Sequence, residues 1–198
     1  MSGTLPQSPA FSSLTVASVQ PSFVSRSISG RRTARQTHGQ YFKLTAKYPP
    51  MTRAQFAPIH AFIMAQRGQY ESFQVIPPVL NDGLGSPAGT PLVNGASQTG
   101  RSVITDGWNA SITIFKADDY LKFANHDKVY TITADATSNG SGASTITIEP
   151  ALVTSPANDS AVTYTAVPFT VALTGRVQEF ETGTTGLFEY ELDMEEVL

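Results

Sequence analysis

The chain has 198 residues, enough to bury a sizeable core as one domain or as one domain with a small insertion. It carries a net charge of −3, contains no cysteine and has no apolar run of membrane-spanning length. Disulfide stapling, thiolate metal sites and a spanning helix are therefore excluded, and overall charge gives no reason to expect nucleic-acid binding.

Charge is segregated along the chain. Between Met1 and Tyr70 stand Arg26, Arg31, Arg32, Arg35, Lys43, Lys47, Arg53 and Arg67, without a single Asp or Glu. Near the other end Glu179, Glu181, Glu189, Glu191, Asp193, Glu195 and Glu196 face only Arg176. Two readings follow. The ends pair within one fold, or a basic face of one subunit meets an acidic face of the next.

The first residues, MSGTLPQSPAFSS, lack the basic and apolar regions of a signal peptide and read as a flexible polar arm over 1–12. Ser13–Gln20 and Ser22–Ser29 alternate small polar with apolar residues (Leu14, Val16; Phe23, Ile28), as half-buried strands do, with Pro21 breaking them. Gly30–Gly39, GRRTARQTHG, reads as an exposed basic strand or hairpin, and charge there protects a sheet edge. Gln40–Tyr48 alternates again, with Phe42, Leu44 and Ala46 on one side and Tyr41, Lys43 and Lys47 on the other.

Pro50–Gly68 is the one stretch with a helical period, and a helix is expected over about 52–67. Thr52 and Gln55 have capping-box spacing, and Met51 with Phe56 suits a hydrophobic staple. Phe56, Ile59 and Ile63 make the buried stripe, while Pro58 predicts a kink or a delayed start. A lone amphipathic helix must bury that stripe on a sheet.

Tyr70–Ile76 is a short strand with Phe73 and Val75 facing in, followed by a long Gly/Pro/Asn/Ser-rich loop, Pro77–Gly100. Ser102–Ile104 and Ala110–Phe115 flank Asp106-Gly107-Trp108, and Trp108 is expected in the core. Asp119–Phe123, Lys128–Ala134, Ala143–Glu149 and Ala161–Thr165 form a compact meander in which Asn139-Gly140 signals a hairpin through its tolerance of positive φ. Pro168–Thr174, Arg176–Gly183 and Gly186–Glu195 rejoin the first sheet. The last is amphipathic, with Glu189, Glu191 and Asp193 on its acidic side.

The fold class expected is thus mainly β, with one α-helix packed on a sheet, plus a small β-barrel or sandwich subdomain. The segments are 1–115, then the meander 116–166, then 167–198 rejoining the first part. No catalytic, cofactor-binding or metal-binding constellation stands out. His38, His60 and His126 are isolated, Asp118-Asp119 reads as a solvated turn, and Asp135–Gly142 lacks the alternating acidic ligands of a calcium loop. The run Arg31–Arg35 has no interleaved aromatics for a nucleic-acid groove.

Four stretches then carry a family likeness. They are Gly30–Pro50 followed at once by the helix segment MTRAQFAPIHAFIMAQRGQYESFQV, the segment DYLKF at Asp119–Phe123, KVYTITADATSNGSGASTITIEP at Lys128–Pro150, and PFTVALTGRVQEFETGTTGLFEYELDMEE at Pro168–Glu196. Their order resembles the distal tail or minor tail proteins of long-tailed, siphovirus-like bacteriophages. The resemblance implies a β-sandwich-like ring domain with one α-helix packed on it, and a structural virion protein, made in the host bacterial cytoplasm, that forms a ring, commonly hexameric, at the distal tail end. Such a ring joins the tail tube protein to the baseplate hub or fibres, and genome DNA passes its lumen without specific binding. It implies no enzyme activity, no cofactor, no small-molecule substrate and no membrane. The candidate subunit-interface residues are Arg31, Arg32 and Arg35 on one patch and Glu189, Glu191 and Asp193 on the other. Two alternatives are a carbohydrate-binding tail-tip module, with Trp108, Tyr120 and Tyr130 as an aromatic platform, and another tail component such as a tube or completion protein.

Overall fold

A computed structural model describes residues 3–37, 39–80, 82–182 and 186–198. Its strands, in chain order, are β1 (Ser13–Val19), β2 (Ser22–Arg26), β3 (Arg32–Gln36) and β4 (Tyr41–Lys47). After the helix α1 (Arg53–Ala65) come β5 (Phe73–Val75), β6 (Gly89–Val93), β7 (Ser102–Trp108), β8 (Thr113–Phe115) and β9 (Tyr120–Phe123). Then follow β10 (Val129–Ile132), β11 (Ala136–Thr137), β12 (Ser144–Glu149), β13 (Val162–Thr163) and β14 (Phe169–Leu173). The last three are β15 (Glu181–Thr182), β16 (Phe188–Glu189) and β17 (Glu191–Glu196). The protein is mainly β with one helix, as its alternating segments and single 3.6-period stripe require. Among the described residues, no helix is long and apolar enough to cross a membrane.

Two compact units divide the chain: residues 1–73 with 171–198, and residues 74–170. The first is built on a five-stranded sheet of order β1-β4-β17-β14-β5. Phe42, Leu44 and Ala46 of β4 and Leu192 and Met194 of β17 are buried, so the period-2 pattern does what it predicts. The helix lays Phe56, Ile59 and Ile63 into the core. Gln55 Oε1 accepts both the Thr52 N–H and the Thr52 hydroxyl at 3.0 Å, which ties down the first turn. Pro58 does not delay the start, because the helix begins at Arg53.

Two readings of this unit are corrected. Leu5 is 1 % exposed, Tyr48 Oη donates to the Pro6 carbonyl at 2.9 Å and Phe11 meets Tyr48 edge-on, so residues 3–12 are laid down rather than a free arm. An apolar side chain beside a proline still seeks burial, whatever the polarity around it. The second correction concerns Ser22–Ser29. It is not half-buried: every residue of β2 and of its partner β3 is exposed, with Phe23 at 71 % and Ile28, in the turn, at 110 %.

The second unit holds a six-stranded sheet of order β13-β9-β10-β12-β7-β6. A bridge between Leu92 and Ala161 brings its two edges together, so the sheet is nearly closed and barrel-like. Its core includes Val103, Phe115, Leu121, Phe123, Tyr130, Ile146 and Ile148, and Trp108 is buried among them as expected. The compact unit begins at Gln74, well before residue 116, since β6 and β7 complete the sheet made by the meander. Part of the expected loop Pro77–Gly100 is therefore strand β6. It was hidden by Gly89 and Pro91, which sit where the β6–β7 register shifts. Gly89 stands opposite Trp108 there, and a Cβ on Gly107 would lie 2.4 Å from the Thr90 carbonyl oxygen. The SNGSG hairpin turns by a different device from the one expected. Positive φ falls on Gly142, and Asn139 Oδ1 holds the turn by accepting from Ser141 N and Ala143 N at 2.9 Å each.

Candidate subunit interface

The basic patch lies on a hairpin with nothing beneath it. Antiparallel β2 and β3 pair Phe23 with Arg35, Val24 with Ala34 and Arg26 with Arg32. The turn is fixed by Ser27, whose N–H donates to the Arg31 carbonyl at 3.0 Å and whose Oγ accepts the Arg31 N–H at 3.2 Å. Arg32 and Arg35 are strand residues and Arg31 closes the turn; all are exposed. Among the described residues, no carboxylate forms an ion pair with any of them.

The acidic patch has a different construction. In β17, Glu191 stands opposite Lys47, Asp193 opposite Thr45 and Glu195 opposite Lys43 of β4. Lys47 Nζ lies 3.0 Å from Glu191 Oε2, and Thr45 Oγ1 donates to Asp193 Oδ1 at 2.7 Å. Pairing of the two chain ends within one fold is thus partly realised. It engages Lys47 and Thr45 of β4 and leaves the arginines of the hairpin.

Beside β17, the short ladder β15–β16 sets Glu181 opposite Glu189 and Thr182 opposite Phe188. Residues 183–185, including Gly183 of the expected strand, lie outside the described residues, as does His38. The ladder is rooted on the helix. Phe56 stacks on Phe188 (centroids 4.8 Å apart, planes at 13°) and touches Phe180 at 5.1 Å and Tyr190 at 5.6 Å, with His60 against its ring. Strand alternation then turns Glu181 and Glu189 to the side away from Phe180 and Phe188. An open cleft of about 380 Å³ runs along this side between Glu179, Glu181, Glu189, Glu191 and Lys47. Burial pushes the Tyr190 hydroxyl at its floor up to about 12, and burial together with Tyr190 raises Tyr48 as well, so both phenols stay protonated and neutral.

Elsewhere the polar clusters are structural. Asp119, read as part of a solvated turn, is 4 % exposed and accepts three backbone N–H groups, from Leu84, Gly85 and Lys116. His126 Nδ1 lies 3.0 Å from the Tyr130 hydroxyl in a buried pair. The aromatic platform of Trp108, Tyr120 and Tyr130 does not assemble: Trp108 is 4 % and Tyr130 0 % exposed, both spent on the barrel core. Among the described residues, no three His, Cys, Asp or Glu side chains gather as metal ligands.

Residues 82–167, which span the closed sheet of the second unit, match the family described as Distal tail protein pb9, B domain. The match covers less than half of the chain and is to a structural family of phage tails. It agrees with the likeness carried by the order of segments in the sequence. No curated protein matches the chain. The B-domain match covers the barrel-like unit, whereas both charged patches belong to the other one.

Sequence reasoning missed Arg26 and Glu181. Each gains meaning only from a strand register that sets it against a like charge, and register is invisible in spacing alone.

Proposed function

We propose that the protein is an architectural piece of a phage tail that closes into a ring, hexameric as the resemblance implies, at the distal end. The ring joins the tail tube to the baseplate hub or fibres and surrounds the channel through which the genome passes without specific binding. The protein carries out no reaction and takes no small-molecule substrate. The observation that carries this reading is the match of residues 82–167 to a distal tail protein B domain, set within a second β unit. Two unlike charged patches on the first unit, Arg31, Arg32 and Arg35 against Glu189, Glu191 and Asp193, supply what head-to-tail closure requires.

The test is electron microscopy of purified particles carrying a tagged copy of the chain. The expected image places the label once, at the lower end of the tube. Label repeated along the tube assigns the chain to the tube instead, and label at the head-proximal end assigns it to a completion protein. Particles without the chain refute a virion role.

A further inference from the structure

The first unit carries two small antiparallel ladders outside its main sheet, and each contains a like-charge pair of opposite sign. In β2–β3, Arg26 stands directly opposite Arg32. In β15–β16, Glu181 stands directly opposite Glu189. Like charges facing across a ladder destabilise it, and an isolated two-stranded hairpin is marginal in water to begin with. The arginine hairpin also lacks any buried residue and holds Phe23, Val24 and Ile28 in solvent. The glutamate ladder has exposed apolar neighbours of its own: Val177 at 71 %, Phe180 at 45 % and Leu187 at 37 %. Each ladder displays the charge and the apolar surface that the other lacks a partner for.

We propose that the β2–β3 hairpin of one copy docks on the β15–β16 face of the next, with Arg26 and Arg32 meeting Glu181 and Glu189. This rests on the ring reading above and names the contact that closes it. The partner is a second copy of this chain because both halves of the contact are present on one unit and match in sign. The two surfaces differ, so each copy gives one hairpin and receives one, which is the head-to-tail geometry that makes rings. Charge sets register and partner, and Val24, on the same strand face as Arg26, with the turn residue Ile28 against Val177 and Leu187 supplies the apolar contact. The Lys47–Glu191 pair, already formed at 3.0 Å, borders the cleft and fixes one wall of the receiving face.

Charge swaps on the full chain, followed by sedimentation at several concentrations, test this. Wild-type chain is expected to self-associate, less so in high salt. R26E/R32E and E181K/E189K are each expected to weaken association at least about tenfold. Mixing the two variants restores it, and so does the fourfold swap in one chain, which also shows that the swapped ladders fold. Association of either double variant as tight as wild type overturns the docking while leaving the ring reading to the tail images. Wild-type chain that stays monomeric at every concentration overturns it too, as does loss of duplex-DNA binding by R26E/R32E with self-association unchanged.

Discussion

Asp119 accepts the backbone N–H of Leu84 at 2.6 Å, across 35 residues of chain. The same carboxylate takes the N–H groups of Gly85 and Lys116, so one buried side chain fastens the segment before β6 to the corner between β8 and β9. A carboxylate in that position does for loop backbone what a capping residue does for a helix start.

Asp119→Ala leaves three backbone donors without an acceptor and is expected to cost about 3 kcal/mol or more. Asp119→Asn keeps one acceptor oxygen and loses less. Trp108 is the sole tryptophan and is buried in the same unit, so its fluorescence in a urea titration reports both variants directly. Equal midpoints for wild type and Asp119→Ala refute the role assigned to the carboxylate.

The glycines give a paired test. A Cβ on Gly107 meets the Thr90 carbonyl oxygen at 2.4 Å with φ at +77°, so Gly107→Ala is expected to destabilise by about 3 kcal/mol. Gly140 sits in the SNGSG turn with nothing within 4 Å of an added Cβ, so Gly140→Ala stays within about 0.5 kcal/mol of wild type. Thermal unfolding separates them: only the first shifts the midpoint strongly.

His126 sets a pH dependence whose sign is fixed. Burial lowers its pKa below 6.5, and the Ser155 backbone and Asp127 offset only part of that. The unfolded chain therefore binds the proton more readily than the folded one. Stability from this residue is complete above 6.5 and falls as the pH drops from there toward the folded value. Replacing His126 with Gln is expected to flatten that decline in urea midpoints read by Trp108. An unchanged slope shows that other groups set it.

Phe56 joins the helix to the acidic ladder. Its ring packs on Phe180, Phe188 and Tyr190, and Phe56→Ala is expected to cost about 3–5 kcal/mol. Because Phe188 holds the strand that carries Glu189, the same variant is expected to weaken self-association more than Ile59→Val does. Sedimentation of the two side by side checks this.

What the chain made legible follows from periodicity. The stripe Phe56, Ile59, Ile63 and the alternation in β4 and β17 were readable because both faces of each element meet their matching environment within the chain. Alternation in Ser22–Ser29 has the same texture and the opposite outcome, since a pattern records two kinds of surface and not whether anything covers one of them. Leu5 and β6 were obscured by neighbouring Pro and Gly, which mark local backbone and say nothing of long-range burial. The candidate patches were found by charge, but Lys47 and Thr45 already engage Glu191 and Asp193, which only cross-strand register reveals.

The barrel-like unit leaves the first sheet after β5 and returns at β14, and these two strands are sheet neighbours. Departure and return points side by side make the segment between β5 and β14 an exchangeable cassette, which a short link from Val75 to Phe169 replaces without reordering the strands.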